Sequence, residues 1–212
     1  MNLSPSRKIL VLAPHTDDGE LGCGASISRW IAEGHEVYYA AFSTADESVP
    51  KEFPSNQLEV EVIEATGMLG IHPDRLHIFK YEVRKLNFVR QQILDSCIVL
   101  RNSIQPDIVL MPSGKDIHQD HVTVHQEGVR AFKFCSILGY ELIWNNLSFE
   151  TNCFVTITKP QLEQKINALK AYKTQASKQY MSADFINSLA IVRGTQIGVP
   201  YAEAFEVIRW IL

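Results

Sequence analysis

Short apolar segments alternate with amphipathic ones along the first two thirds of the chain. Residues 8–13 (KILVLA) form a nearly continuous apolar run, which is typical of a strand covered on both faces of a parallel sheet. A turn rich in glycine and acidic residues follows, and apolar residues then recur at helical spacing until Gly34, which favours a helix end. The same alternation predicts strands at 36–43, 76–79 and 107–111, and helices at 56–68, 87–103 and 120–134.

The last third of the chain has a less regular pattern. Residues 141–144 and 153–157 are predicted as strands, residues 158–161 as a capping box that opens a helix to about Tyr172, and residues 205–210 as a final strand. Alternating strands and helices imply right-handed crossovers and a doubly wound, mostly parallel sheet. We therefore expect one Rossmann-like α/β domain over residues 1–212, with its active site at the carboxyl ends of the strands.

Composition and charge narrow the choice of partners. A chain of 212 residues with 46% hydrophobic and 21% charged residues has the size and composition of one globular domain. The net charge is -4 and the sequence has no block of Lys or Arg. Binding to nucleic acid or to anionic lipid requires clustered cations, so neither is the expected partner. A small-molecule substrate is the expected partner, and the oligomeric state, a homo-oligomer included, is left open.

Targeting signals are not evident in the sequence. The apolar run that begins at Ile9 ends at Pro14, which is too short for a signal peptide, and no run reaches the roughly 18 apolar residues of a membrane span. The four cysteines are scattered and form no CxxC pair, so neither a zinc knuckle nor a disulfide framework is indicated. We expect a cytoplasmic protein.

Two loops hold the residues that carry candidate chemistry. Parallel strands end at the same edge of a sheet, so the loops after the first and fourth strands should face one crevice. Two adjacent carboxylates at a strand end need a cation, and nearby imidazoles favour zinc or iron(II) over magnesium or calcium. The candidates are His15, Asp17 and Asp18 in the first loop and His118, Asp120 and His121 in the second.

The glycines of the first loop raise the alternative of a dinucleotide site. Gly19, Gly22 and Gly24 give GxxGxG rather than the GxGxxG fingerprint, and acidic side chains would repel a pyrophosphate there. Two histidines and a carboxylate are instead a known zinc set that leaves one position open for water. Neighbouring residues of an extended segment point in opposite directions, so we expect one of Asp17 and Asp18 to bind the metal and the other to act on water.

Both loops resemble the motifs of the PIG-L/LmbE family of zinc-dependent N-deacetylases. Residues 14–19 (PHTDDG) correspond to the family's AHPDDE, residues 118–121 (HQDH) to its HxDH, and residues 193–194 with 201–205 extend the similarity. The resemblance implies a metal held by His15, Asp18 and His121. It further implies Asp17 as the general base, and a protonated His118, oriented by Asp120, that stabilises the oxyanion.

The resemblance implies a zinc-dependent hydrolase that removes an N-acetyl group from an amino sugar, with iron(II) as the alternative metal in the cell. Thr16 and Gly19 stand where the family has Pro and Glu, so a catalytically silent metal- or sugar-binding homologue is one alternative. An amidase that cleaves a thiol-sugar conjugate at the same site is another alternative.

Residues outside the two motifs have less specific interpretations. Arg84 is a candidate for binding a sugar hydroxyl or a phosphate. His125, Cys23 and Trp144 are expected to be structural.

Overall fold

A computed structural model describes residues 6–211 of the chain. All its strands belong to one seven-stranded sheet with the order β3-β2-β1-β4-β5-β7-β6. The first five strands run parallel, whereas β7 runs antiparallel to β5 and to β6. The predicted doubly wound, mostly parallel sheet is therefore confirmed. The strands are β1 (Lys8–His15), β2 (Glu36–Ser43), β3 (Leu76–Ile78), β4 (Ile108–Pro112), β5 (Ser136–Tyr140), β6 (Cys153–Thr156) and β7 (Ala202–Arg209).

Helices cover both faces of the sheet. On one face α1 packs against α2 and α5, and α6 packs on β7; on the other face α3 packs against α4. Each face carries its own cluster of buried apolar side chains, so the sheet separates two hydrophobic cores. The helices are α1 (Asp18–Ala32), α2 (Gln57–Leu69), α3 (Arg90–Ile104), α4 (Gln119–Ala131), α5 (Lys159–Leu169) and α6 (Ala183–Gln196).

The central position of β1 explains its apolar sequence. It pairs with β2 on one side and β4 on the other, and Ile9 to Ala13 are at most 1% exposed. A strand covered on both faces has no polar side, which is why apolar residues do not alternate with polar ones. The helix after it ends as predicted, and Gly34 adopts the left-handed conformation (φ +87°) that glycine tolerates.

A buried ion pair supplies hydrogen-bond partners where α1 is interrupted. The backbone at Cys23 is not helical (φ -147°), which leaves groups on either side of it without helical partners. Lys165 Nζ donates to the Leu21 carbonyl at 2.7 Å, and the Glu203 carboxylate accepts from the N–H of Ser26 at 2.7 Å. Lys165 and Glu203 bind each other at 2.6 Å, so the C-terminal segment helps to hold the helix that begins at the first loop.

In the last third of the chain one predicted strand is misplaced and one helix was not predicted. The strand predicted at 141–144 lies at Ser136–Tyr140, because Glu141 turns away to pair with Arg193 and Trp144 lies beyond the sheet. Helix α6 was not predicted, because its apolar residues do not form a single stripe and it buries few of them. Among the described residues, no helix is both long enough and apolar enough to span a membrane.

Candidate metal centre

The two candidate loops meet at the carboxyl ends of neighbouring strands, as the sequence predicts. Strand β1 pairs with β4 in parallel, and His15 is the last residue of β1. Asp18 is the first residue of α1, and His121 lies in the first turn of α4. The rings of His15 and His121 lie 5.1 Å apart, centroid to centroid, although about a hundred residues separate them in sequence.

Three donor atoms of these residues form a small triangle. His15 Nδ1 lies 3.1 Å from Asp18 Oδ2, His121 Nε2 lies 3.2 Å from the same oxygen, and the two nitrogens are 3.2 Å apart. Ligands held at about 2.0 Å from a tetrahedral zinc ion stand about 3.3 Å from one another. The spacing and the chemistry of these donors therefore fit three corners of a zinc tetrahedron.

A buried carboxylate stands behind each of these imidazoles. Asp120 Oδ2 lies 2.9 Å from His15 Nε2, and Asp116 Oδ2 lies 2.7 Å from His121 Nδ1. Such contacts fix the ring orientation and leave the opposite nitrogen free to bind a metal. Asp116 was not predicted as a site residue, although it stands shortly before His118 in the loop that leads into α4. The fold of that loop brings its carboxylate to His121.

The electrostatic field at the triangle favours a cation. Burial alone would lower the pKa of both imidazoles, but the Asp18 carboxylate and the carboxylates behind them raise it to about 9 for His15 and about 10 for His121. The pKa of Asp18 is lowered, because the two imidazoles outweigh its burial. A site that holds protons so firmly also attracts a metal ion, which competes for the same lone pairs.

Asp17 differs from Asp18 in its contacts. Its carboxylate hydrogen-bonds to no other described residue and lines the cleft above the triangle. Burial, and then the charge of Asp18, raise its pKa to about 7. The backbone at Asp17 is near-helical rather than extended as expected, and Asp17 occupies the N-cap position of α1 without a capping hydrogen bond from its side chain. The two side chains still separate, because Asp18 turns back to accept from the His15 N–H at 2.8 Å.

His118 lies beside the triangle with a different set of contacts. It caps α4, and its Nδ1 accepts from the Asp120 N–H at 3.2 Å, so a neutral ring carries its proton on Nε2. Burial and the two neighbouring imidazoles lower its pKa, which disfavours the protonated ring that the resemblance implies. A nitrogen of His118 also lies within 4.8 Å of nitrogens of His15 and His121, which makes it the alternative third ligand.

The expected pairing of Asp120 with His118 needs a correction. The Asp120 carboxylate contacts His15, and it also accepts from the N–H groups of Arg84 at 2.6 Å and Leu86 at 3.2 Å. Only its backbone N–H reaches His118. The side chain points back across the helix start toward β1, so Asp120 orients the first histidine of the triangle rather than its neighbour in sequence.

A cleft of about 330 Å³ opens above the triangle. Its far wall comes from the last third of the chain, where Trp144 stacks on Tyr180 with ring centroids 4.0 Å apart. Trp144 was expected in the core and is instead 37% exposed at the cleft. The other residues that line the cleft outside the two motifs include Ala45, Ser48, Leu58, Val83, Arg84, Asn145, Gln175 and Lys178.

His125 and Cys23 lie outside the cleft, as expected. His125 Nδ1 lies 2.8 Å from the Pro112 carbonyl, and Cys23 is fully buried with a pKa raised well above its usual value by burial. A buried, protonated thiol is a poor nucleophile.

The family model described as PIG-L: GlcNAc-PI de-N-acetylase matches residues 10–132, more than half of the chain. The chain belongs to this family. A relative from Escherichia coli (strain K12), the uncharacterized deacetylase YaiS, is 29% identical over 174 residues, which cover 78% of this chain and 90% of the relative. The diacetylchitobiose deacetylase of Thermococcus kodakarensis is 23% identical over 227 residues, 95% of this chain and 83% of that protein.

Solved structures show the same fold. The N,N'-diacetylchitobiose deacetylase of Pyrococcus horikoshii superposes with a TM-score of 0.81 at 22% identity, covering 96% of this chain and 84% of that one. The 4-carboxy-2-hydroxymuconate hydratase GalB of Pseudomonas putida gives a TM-score of 0.78 at 15% identity, covering 97% and 98%. The fold therefore supports more than one reaction, and the site must decide between them.

The departure from the PIG-L motif at Gly19 has a structural explanation. A Cβ atom at this position would lie 2.4 Å from the Tyr39 ring, so the glycine makes room for that side chain. The Tyr39 hydroxyl accepts from the Gly19 N–H at 3.1 Å and contacts the buried Glu20 carboxylate, which also accepts from Tyr172 at 2.8 Å. Tyr39 and Glu20 thus fill the space beneath the first loop. Nothing in the structure explains why Thr16 stands where the family motif has Pro.

Proposed function

We propose that this PIG-L family member is a zinc-dependent hydrolase that removes the N-acetyl group of an amino sugar. The observation that carries the proposal is the triangle of His15, Asp18 and His121, with the unpartnered carboxylate of Asp17 beside it. Three protein ligands leave a tetrahedral ion one open position, which distinguishes a catalytic zinc site from a structural one. The matching family description and the deacetylase relatives favour amide hydrolysis over the hydratase chemistry that the fold also supports.

Zinc on these ligands would supply a Lewis acid that activates water and polarises the amide carbonyl. We take Asp18 rather than His118 as the third ligand, because its oxygen stands within 3.2 Å of both imidazole nitrogens whereas the Nδ1 atom of His118 is engaged by a backbone N–H. Asp120 and Asp116 hold the two ligating rings in place. Iron(II) accepts the same donor set and is the alternative metal.

Asp17 is proposed as the general base. Its carboxylate lines the cleft and has no competing hydrogen bond to another described residue, so it is placed to accept a proton there. Burial and the charge of Asp18 raise its pKa to about 7. A cation on the neighbouring ligands would lower that pKa and keep Asp17 ionised. After accepting a proton on a carboxylate oxygen, Asp17 can return it to the departing amine.

His118 is proposed to stabilise the developing oxyanion. With its Nδ1 accepting from the backbone, the neutral ring presents an N–H at Nε2, so it can donate a hydrogen bond without carrying a charge. Removing one such donor typically costs about 100- to 1000-fold in rate. The neutral state also suits a site where a metal ion would disfavour a second positive charge.

The position of Asp18 supports an active enzyme over the alternative of a catalytically silent homologue. That alternative rested on Gly19, and the loop that carries Gly19 still brings Asp18 within 3.1 Å of His15. The identity of the sugar is drawn from the names of the family and of its relatives, and no observation favours a thiol-sugar conjugate over other acetylated amino sugars.

The experiment is to load the purified protein with zinc and measure acetate release from a panel of N-acetylated amino sugars. We expect about one zinc ion per chain and acetate formation that stops when a chelator removes the metal and resumes when zinc is restored. Full activity of a metal-free protein would contradict the proposal. So would firmly bound zinc with no acetate released from any sugar of the panel.

A further inference from the structure

The proposed general base is held in place by its backbone alone. The Asp17 side chain makes no hydrogen bond to another described residue, so the position of its carboxylate depends on the two peptide groups that flank it. The Asp17 carbonyl accepts from the Leu21 N–H at 3.0 Å, within the first turn of α1. The peptide group between Thr16 and Asp17 precedes the helix and needs partners from elsewhere in the fold. Whatever holds that peptide group therefore helps to place the carboxylate.

Two tyrosine hydroxyls supply these partners. Tyr39 and Tyr172 donate to the Thr16 carbonyl at 2.9 and 2.7 Å. Tyr39 lies in β2 and Tyr172 follows α5, so elements that are distant in sequence converge on one carbonyl oxygen. Both tyrosines are at most 1% exposed, and neither lines the cleft. They can therefore affect a reaction in the cleft only through the loop that they hold.

A buried carboxyl group holds the two hydroxyls together. Glu20 is fully buried, and its two oxygens contact the hydroxyls of Tyr39 and Tyr172, the second at 2.8 Å. The Tyr39 hydroxyl also accepts from the Gly19 N–H at 3.1 Å. A buried polar network whose members bind one another is rigid. Gly19, the residue that departs from the family motif, leaves the room that this network needs beneath the loop.

We propose that Tyr172 and Tyr39 are positioning residues for the general base. By binding the Thr16 carbonyl they fix the peptide group that carries Asp17, and they thereby place its carboxylate beside the metal centre. The inference rests on the proposed function, in which Asp17 accepts a proton. Proton transfer requires hydrogen-bond distance, and a displacement of about 1 Å can cost about 100-fold in rate.

The proposed metal ligands depend on other contacts. Asp120 and Asp116 hold the rings of His15 and His121, and Asp18 accepts from the His15 N–H. Loss of one tyrosine hydroxyl should therefore displace the base without releasing the metal. This difference separates a positioning role from a general loosening of the site.

The variant Tyr172→Phe removes one hydroxyl and keeps the ring. We expect kcat for acetate release to fall about 10-fold or more, with KM changed less than about 2-fold and zinc affinity in chelator competition unchanged. Tyr140→Phe is the matched control, since Tyr140 is 1% exposed and its hydroxyl donates to the Leu12 carbonyl of β1 at 3.0 Å. Both variants should lower the free energy of unfolding, because each loses a buried hydrogen bond, but only Tyr172→Phe should lower kcat. Equal kcat in the two variants would overturn the inference.

A double substitution tests whether Tyr172 acts through Asp17. In an Asp17→Asn background, Tyr172→Phe should change the remaining turnover less than about 2-fold, because the group that it positions is already absent. A further loss of about 10-fold in that background would overturn the inference, since Tyr172 would then act on another part of the site.

Hydrogen exchange of the zinc-loaded protein follows the loop without turnover. The hydrogen-bonded N–H groups of Gly19 and Leu21 should exchange about 5-fold faster in Tyr172→Phe than in Tyr140→Phe. Equal exchange in the two variants, with acetate released by the wild type, would overturn the inference and leave the proposed function standing. If exchange rises as expected but the wild type releases no acetate from any sugar, the proposed function fails, and the tyrosines hold the loop without positioning a base.

Discussion

The buried end and the exposed end of the cleft are built in different ways. At the buried end, His15, Asp18 and His121 contact one another, and carboxylates lock the two rings from behind. At the exposed end, Arg84 and Lys178 have no acidic partner within the described residues. The first region therefore holds its side chains in a fixed geometry, whereas ion pairs do not hold the two cations of the second.

The two regions also differ in where they come from along the chain. The buried end is formed by two short motifs at the ends of β1 and β4. The exposed end combines single residues from the loop after β3, the loop after β5 and the segment before α6. Chemistry of the same kind can therefore be kept by two local motifs while loops elsewhere change what the cleft accepts.

Among the residues that support the buried end without touching substrate, the largest effect is expected from the carboxylate behind His121. Asp116→Asn keeps the shape of the side chain but removes the charge that holds His121 Nδ1 at 2.7 Å. We expect zinc affinity to fall by about 10- to 100-fold, as is usual when the partner of a ligating histidine is changed. Competition with a zinc chelator of known affinity measures this.

Asp74→Asn is the control for this change. Asp74 also lies beside a histidine, His72, but its side chain is 89% exposed and does not line the cleft. Its replacement should leave zinc affinity unchanged. If Asp116→Asn binds zinc as tightly as the wild type, the buried end is less dependent on its supporting carboxylates than we describe.

A smaller effect is expected from filling the space beneath the first loop. In Gly19→Ala the new methyl group would meet the Tyr39 ring, and overpacking of this kind typically costs about 1–3 kcal/mol in the free energy of unfolding. Gly67→Ala is the matched control: it lies in α2 with open space around it, and should stabilise by about 0.5–1 kcal/mol. Denaturant unfolding should show that the free energy of unfolding falls in Gly19→Ala and rises in Gly67→Ala. A rise in both variants would show that the Tyr39 ring moves aside at little cost.

The smallest effect on the metal is expected at the exposed end. Arg84→Gln keeps the backbone N–H that Asp120 accepts, so the position of His15 should not change. Bound zinc in this variant should therefore equal that of the wild type. Loss of zinc from this variant would mean that the two ends of the cleft are not separable.

Most of the fold and the members of the buried end could be predicted from the sequence. Continuous apolar runs identify the central strands, and the position of His15 and His121 after two such strands predicts that they meet. The motifs could not reveal that Asp120 turns to His15 rather than to His118, because that depends on which way its side chain leaves the start of α4. Asp116 was missed for the same reason.

The exposed end was less predictable. Trp144 was expected in the core, since nothing in its sequence context shows that the chain leaves the sheet after Tyr140 and brings the indole to the cleft. Helix α6 lacks a clear apolar stripe, so the segment before it, with Lys178 and Tyr180, could not be placed. Arg84 was a candidate for its residue type in the loop after the third strand. Its backbone N–H donates to Asp120 at 2.6 Å, a tertiary contact that the sequence does not show.

The central claim is that two adjacent carboxylates perform different tasks, Asp18 as metal ligand and Asp17 as general base. The most direct measurement is bound zinc and acetate turnover in Asp17→Asn and Asp18→Asn, prepared and assayed side by side. Asp17→Asn should keep about one zinc ion per chain and lose about 100- to 10,000-fold in turnover. Asp18→Asn should lose the zinc together with the turnover. Unchanged turnover in Asp17→Asn, or wild-type zinc affinity in Asp18→Asn, would contradict this division of tasks.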